Sequence, residues 1–171
     1  RLEEIVEEII ITDERALLFT QFSEWGYLLQ EYLQMKFPSE ILFLHGGTSK
    51  KNRQIMIDRF QKDPRGPKLF LLSLKAGGLG LNLTRASHVF HFDRWWNPAI
   101  ENQATDRAYR IGQENRVMVH KFITRGSIEE KINQMIQEKS RLAEDIIGSG
   151  EDWLGSLGIN ELRELVSLED S

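Results

Sequence analysis

The chain has 171 residues and no cysteine, and its formal net charge is −4. That length suits one domain with some elaboration and a real core, while the missing cysteine excludes a disulfide framework, Cys-based zinc sites and a thiol nucleophile. A negative total would by itself argue against nucleic-acid binding, but the charge is unevenly spread along the chain.

Residues 2–11 place Leu2, Ile5, Val6, Ile9 and Ile10 at spacings of three and four, which predicts an amphipathic helix. Its acidic opening, Arg1-Leu2-Glu3-Glu4, is no signal peptide, and the lack of an initial Met suggests a piece of a longer chain. Asp13-Glu14 breaks the helix. Arg15 to Thr20 is a short apolar run that reads as a buried strand. Ser23 can cap a helix over roughly residues 24–36. Ile41 to Leu44 is a second buried strand and leads into the glycine-rich turn His45-Gly46-Gly47-Thr48-Ser49. Ser49 or Thr48 can cap the next helix, which carries Ile55, Ile57 and Phe60 beside Lys50, Lys51, Arg53 and Arg59. Asp63-Pro64-Arg65-Gly66-Pro67 is a loop.

Lys68 to Ser73 predicts a third strand, and Lys75 to Leu83 a flexible glycine-rich loop. Ser87 to Asp93 is a fourth strand. A helix follows, with Asn97 able to act as N-cap, Pro98 at the first helical position and Gly112 as its stop. On it Ile100, Ala104, Ala108 and Ile111 fall on one apolar stripe. Gln103, Arg107 and Arg110 fall on the adjacent one, so both arginines are expected to be exposed. Arg116 to Ile123 is a fifth strand, and Ser127 caps a long helix through Leu142. A Gly148-Ser149-Gly150 hinge then precedes a tail with a short helix near residues 160–168.

Alternating helices and uniformly apolar strands specify an α/β fold: a parallel sheet with helices on both faces. The expected division is a lobe over residues 1–145, with 1–13 as its leading helix, and a tail over 146–171. In such sheets ligands sit outside the carboxyl ends of the strands, where the polar and glycine-rich loops fall. Charge follows the same geography. Residues 1–40 hold 3 Lys/Arg against 9 Asp/Glu, residues 41–125 hold 15 against 6, and residues 126–171 hold 4 against 11. A basic middle between acidic ends suits an anion-binding centre.

The chemistry is incomplete in a particular way. The Gly77-Gly78-Leu79-Gly80 loop can offer backbone N–H groups to a phosphate. It lacks the third glycine of a dinucleotide fingerprint, and no Gly-Lys-Ser/Thr triplet occurs anywhere in the chain. Nor is there an Asp-Glu-x-His box to hold magnesium. His88 and His91 have near-metal spacing but point to opposite faces of a strand, so no metal site is expected. No Ser/His/Asp triad is identifiable. Arginines beside a phosphate-friendly loop, without a nucleotide anchor, fit an arginine finger supplied to a nucleotide that another module holds.

Five segments occur in order: Ala16-Leu17-Leu18-Phe19-Thr20-Gln21-Phe22, Leu44-His45-Gly46-Gly47-Thr48-Ser49, Leu71 to Leu83, Trp96-Asn97-Pro98, and Asp106-Arg107-Ala108-Tyr109-Arg110-Ile111-Gly112-Gln113. Together they resemble the C-terminal RecA-like lobe of a Swi/Snf-type ATPase of helicase superfamily two, over roughly residues 14–145. The resemblance implies that Arg107 and Arg110 reach the phosphates of ATP, with Arg110 the first choice as finger and Gln103 opening the same motif. It implies that Gly78, Gly80 and Asn82 lie close to the nucleotide. ATP and Mg²⁺ would be held mainly by an N-terminal RecA-like lobe of the same protein. Thr20, Gln21, Phe22, Ser73 and Lys75 would lie along a double-stranded DNA backbone, with Gly47, Thr48, Ser49, Lys50, Lys51 and Arg53 adding phosphate contacts. Trp95 and Trp96 would brace the arginine helix. Leu74 stands where many members have Thr, which removes one hydroxyl from that contact set.

The function implied is DNA translocation by a complete motor, with DNA-bound proteins as further partners and an intracellular location, nuclear or cytoplasmic by organism. The isolated chain is expected to hydrolyse no ATP. The alternatives are an RNA-dependent helicase lobe and a non-catalytic interaction module.

Overall fold

In the computed structural model, residues 1–77, 81–93, 98–110 and 116–143 are described. Five strands form one parallel sheet: β1 (Ala16–Thr20), β2 (Ile41–Leu44), β3 (Leu69–Ser73), β4 (His88–His91) and β5 (Met118–Lys121), in the order β2-β3-β1-β4-β5. Six helices among the described residues accompany them: α1 (Leu2–Ile11), α2 (Ser23–Lys36), α3 (Lys50–Lys62), α4 (Leu74–Gly77), α5 (Pro98–Thr105) and α6 (Ile128–Ala143). The alternation of apolar runs with amphipathic stretches therefore specified the architecture. No helix among the described residues is long and apolar enough to cross a membrane.

The strands read as continuous apolar runs because both sheet faces are covered. On one face Leu17, Phe19, Leu42, Leu44, Phe70, Leu72 and Val89 pack with Phe60 of α3, Ala76 of α4 and Ala104 of α5. On the other, Ala16, Leu18, Ile41, Phe43, Leu69, Leu71 and Phe90 pack with Ile5, Val6 and Ile9 of α1 and with Leu29 and Leu33 of α2. Each such Leu, Ile or Phe contributes about 1.5–3 kcal/mol by leaving water. β1 through β4 are buried along their whole length, whereas β5, at an edge, leaves Met118 and Val119 exposed.

His88 and His91 do face opposite ways, and the fold uses both. The His88 ring spans Glu14 Oε2 at 2.9 Å and His120 at 3.1 Å, and His91 meets the Thr105 hydroxyl at 2.9 Å. Burial first, and the neighbouring His88 second, hold the His120 imidazole below its ordinary pKa. Arg15 is buried, and its guanidinium donates to the Phe60 carbonyl and, at 2.5 Å, to that of Asp63. A cation thus closes the carboxyl end of α3, where the last carbonyls lack helical partners.

Three local expectations change. Ser23 opens α2 rather than capping it; Phe22 is the cap residue, with no side-chain cap bond. Ser49, by contrast, accepts from Asn52 N–H at 3.3 Å and Ser127 from Glu129 N–H at 3.2 Å, as expected of N-caps. The loop expected after β3 begins as α4, because the Ser73 hydroxyl accepts from Ala76 N–H at 3.3 Å and starts a helical turn. Finally, α5 starts at Pro98 as expected but ends at Thr105, before either arginine.

Gly26 marks the closest approach of α2 to the sheet: a Cβ there would lie 2.1–2.8 Å from the Phe43 ring. Gly26→Ala should therefore destabilise the fold by about 1–3 kcal/mol, the range for overpacking a core, although alanine is the better helix former. Urea unfolding measures it, and a variant as stable as the parent would contradict the close approach.

Candidate functional site

The loops at the carboxyl ends of the strands form the site region. After β1 the chain leaves toward α2 on one face. After β3 and β4, which flank β1, it leaves toward α4 and α5 on the other. Connections that part in opposite directions open a crevice at the strand ends, where ligands of such sheets bind.

Asp93 bridges that crevice. Its carboxylate accepts the Thr20 hydroxyl at 2.5 Å and Gln21 N–H at 3.0 and 3.1 Å, and Thr20 Oγ1 accepts in turn from Phe22 N–H at 3.3 Å. Burial raises the Asp93 carboxyl above its ordinary pKa; the Thr20 and Gln21 hydrogen bonds act against that shift, and the Glu129 charge adds to it. This places Thr20 differently from the expectation. It is 1% exposed and its hydroxyl is committed to Asp93, so it positions the Gln21-Phe22 corner instead of facing a ligand. Ser73 likewise is 2% exposed, with its hydroxyl capping α4. Phe22 is exposed, as the resemblance requires of a contact residue. The clamp aspartate carried no sequence motif of its own. Its only signal was an acidic residue at the carboxyl end of an apolar strand.

The glycine turn after β2 is held by its own side chains. Thr48 N–H reaches the His45 carbonyl at 3.0 Å, His45 N–H reaches Thr48 Oγ1 at 3.1 Å, and Gly47 N–H reaches His45 Nδ1 at 3.2 Å. Lys50 and Lys51 open α3 directly behind it and are exposed; Arg53 is half-buried, and its Nε has no hydrogen-bond partner among the described residues.

The arginine turn departs most from expectation. Past Thr105 the backbone tightens: Arg107 N–H bonds the Ala104 carbonyl at 3.1 Å and Ala108 N–H bonds that of Thr105 at 3.0 Å. In an i→i+3 turn, residues three apart eclipse, so Arg107 aligns with buried Ala104 and not beside exposed Gln103. Arg107 is 3% exposed, which corrects the expectation that both arginines face solvent; Arg110 is exposed. Arg107 Nε has no hydrogen-bond partner among the described residues. Burial, then the Arg110 charge, lowers the Arg107 guanidinium from its ordinary pKa. Its carbonyl accepts from Leu83 N–H at 2.9 Å, which ties the arginine turn to the segment after the glycine loop. Asn82 is exposed beside that tie, as is Gln103. Gly78, Gly80, Arg94, Trp95, Trp96, Asn97, Gly112, Gln113, the Lys75 side chain and the tail over 146–171 lie outside the described residues.

Arg107 is a buried guanidinium whose desolvation and Arg110 neighbour outweigh the opposing charge of Asp106. It fits a polyphosphate, whose oxygens supply acceptors and charge together.

Residues 1–112 match the model of the helicase conserved C-terminal domain. The chain belongs to that family, in its Swi/Snf-type branch. It is 50% identical over 168 residues to the putative ATP-dependent helicase/translocase YwqA of Bacillus subtilis, covering 98% of this chain and 18% of that protein. Against the chromatin-remodeling ATPase INO80 of Schizosaccharomyces pombe it is 40% identical over 151 residues, covering 88% of this chain and 9% of that one. The chain thus spans less than a fifth of these curated relatives. The SWI2/SNF2 ATPase core domain of Sulfolobus solfataricus superposes on this Swi/Snf-type lobe with a TM-score of 0.80 at 44% identity, over 100% of this chain and 34% of that one. The same archaeal core in complex with double-stranded DNA gives 0.78 at 43%, over 99% and 35%.

The Asp93 clamp of this Swi/Snf-type lobe carries a pH signature. A carboxyl raised by burial keeps its proton longer in the folded state than in the unfolded one. Its contribution is complete below the ordinary carboxylate pKa of 3.8 and is lost as the pH rises through the higher folded value. Asn at this position keeps one carbonyl acceptor for the Gln21 and Thr20 donors but does not titrate. The parent should therefore lose stability relative to Asp93→Asn as the pH rises from about 4 toward neutrality. Unfolding curves across that range test it; a constant difference would contradict the raised carboxyl.

Proposed function

We propose that this lobe is the C-terminal half of the motor of a double-stranded-DNA-translocating ATPase. It would complete an ATP site held mainly by an N-terminal RecA-like lobe and grip one DNA strand. The observation that carries the reading is the arginine turn. An exposed Arg110 follows a desolvated Arg107 in a turn tied to the segment after the glycine loop, in a chain that holds no Gly-Lys-Ser/Thr anchor of its own. Support comes also from the resemblance to an archaeal core found in complex with DNA.

Arg110 is the finger: it would meet charge building on the transferred phosphoryl group when the two lobes close. Arg107 stands behind it and gains more from an approaching phosphate than an exposed lysine would, because its charge is already out of water. The Leu83–Arg107 bond lets nucleotide contact at Gly78, Gly80 and Asn82 bear on the arginine turn, with Gln103 on α5 at the same edge. Bound ATP with Mg²⁺ would supply the phosphoanhydride and the metal charge, mostly outside this lobe. The Gln21-Phe22 corner, the Gly47-Thr48-Ser49 turn, Lys50, Lys51 and Arg53 would lie along the DNA backbone. Lys75 would join them, with Thr20 and Ser73 holding the loops in place.

Replacing Arg110 by Ala in the full-length protein should lower ATP turnover by about 10³–10⁵ while duplex binding stays within a fewfold. Normal turnover would sink the assignment. Turnover stimulated by RNA and not by duplex DNA would replace it with an RNA helicase. The isolated chain should hydrolyse no ATP; magnesium-dependent turnover by it would contradict the division of the site between lobes.

A further inference from the structure

We propose that Tyr27 is a further nucleic-acid backbone contact, its hydroxyl aimed outward by His45. The inference rests on the reading that the Gly47-Thr48-Ser49 turn faces DNA. Counting protons along the chain of hydrogen bonds leads to it. Gly47 N–H donates to His45 Nδ1 at 3.2 Å, so that nitrogen carries a lone pair. A neutral imidazole then bears its proton on Nε2. Nε2 lies 3.0 Å from the Tyr27 hydroxyl oxygen, so the imidazole donates and the tyrosine accepts. The tyrosine's own proton is left to donate elsewhere. Its side chain is 50% exposed, and His45 is its one hydrogen-bond partner among the described residues.

The ring that carries this hydroxyl is fixed. It packs edge-on against Phe43 with centroids 5.1 Å apart and lies 5.3 Å from the His45 ring. Gly47 belongs to the same unit. A Cβ there would sit 3.1–3.2 Å from His45 ring atoms, whereas one at Gly46 would meet nothing within 4 Å. A methyl group on the second glycine of the turn would thus press the imidazole aside by a few tenths of an ångström. Tyr27, His45 and Gly47 form a hydrogen-bonded chain that ends on the turn leading into Ser49, Lys50 and Lys51. The lysines offer charge without direction, and a fixed neutral O–H offers direction without charge. A phosphodiester oxygen takes both.

The test is equilibrium binding of the full-length protein to a fluorescent duplex of arbitrary sequence over a series of salt concentrations. Tyr27→Phe keeps the ring and removes one proton donor. It should weaken binding about 10- to 150-fold, the loss expected for a hydrogen bond to a charged group, by the same factor at every salt concentration. Lys50→Ala should instead lower the salt slope by about one. Gly47→Ala, which displaces the imidazole, should reproduce the Tyr27→Phe loss, and Gly46→Ala should bind as the parent does. If Tyr27→Phe binds like the parent while Lys50→Ala weakens, the inference is overturned and the reading of the turn stands. If Lys50→Ala and Lys51→Ala also bind like the parent, the DNA-facing turn is overturned, and the inference with it.

Discussion

The Asp93 carboxylate holds together the part of this lobe that matters for function. It joins the ends of β1 and β4 by taking the Thr20 hydroxyl and the Gln21 amide, and so closes the crevice left where the chain departs from adjacent strands in opposite directions. Two loops of different roles meet there: the corner expected along DNA and the segment leading to the arginine turn. A buried carboxyl with a raised pKa is costly to keep. A neutral bridge such as asparagine would avoid that cost. The charged form makes stronger bonds to both donors, which holds the ends of β1 and β4 together.

Most of the fold was legible because two periodicities alternate cleanly. The apolar runs within Ala16–Thr20 and Leu69–Ser73, short and bounded by turn residues, read as strands covered on both faces. The three- and four-residue spacing of Ile5, Val6 and Ile9 can only be a helix packed on one side. What stayed hidden depends on contacts between distant segments. Arg15 caps α3 from 45 residues away in sequence, and Asp93 reaches back 73 residues to Thr20. Neither side chain announces its partner.

The candidate site was legible as a set of loops and less so as a geometry. A period of 3.6 put Gln103, Arg107 and Arg110 on one stripe, but the backbone tightens past Thr105 and turns Arg107 inward over Ala104. Arg107 is buried and Arg110 exposed, a difference between two arginines that the sequence treats alike. Thr20 and Ser73 show a related effect. Polar residues at strand ends, expected to face a ligand, spend their hydroxyls on shaping the loops beside them. Gly47 is the converse case, since its hydrogen cannot be exchanged for a methyl group without moving the His45 ring.

The central claim is that Arg110 completes a nucleotide site which this chain does not hold by itself. A structure of the full-length protein on duplex DNA, with ADP and a planar metal-fluoride mimic of the transferred phosphoryl group, addresses it most directly. The Arg110 guanidinium is predicted to lie about 3 Å from a fluoride of the mimic. An Arg110 directed away from the nucleotide, with the mimic met only by groups of the N-terminal lobe, would contradict the claim.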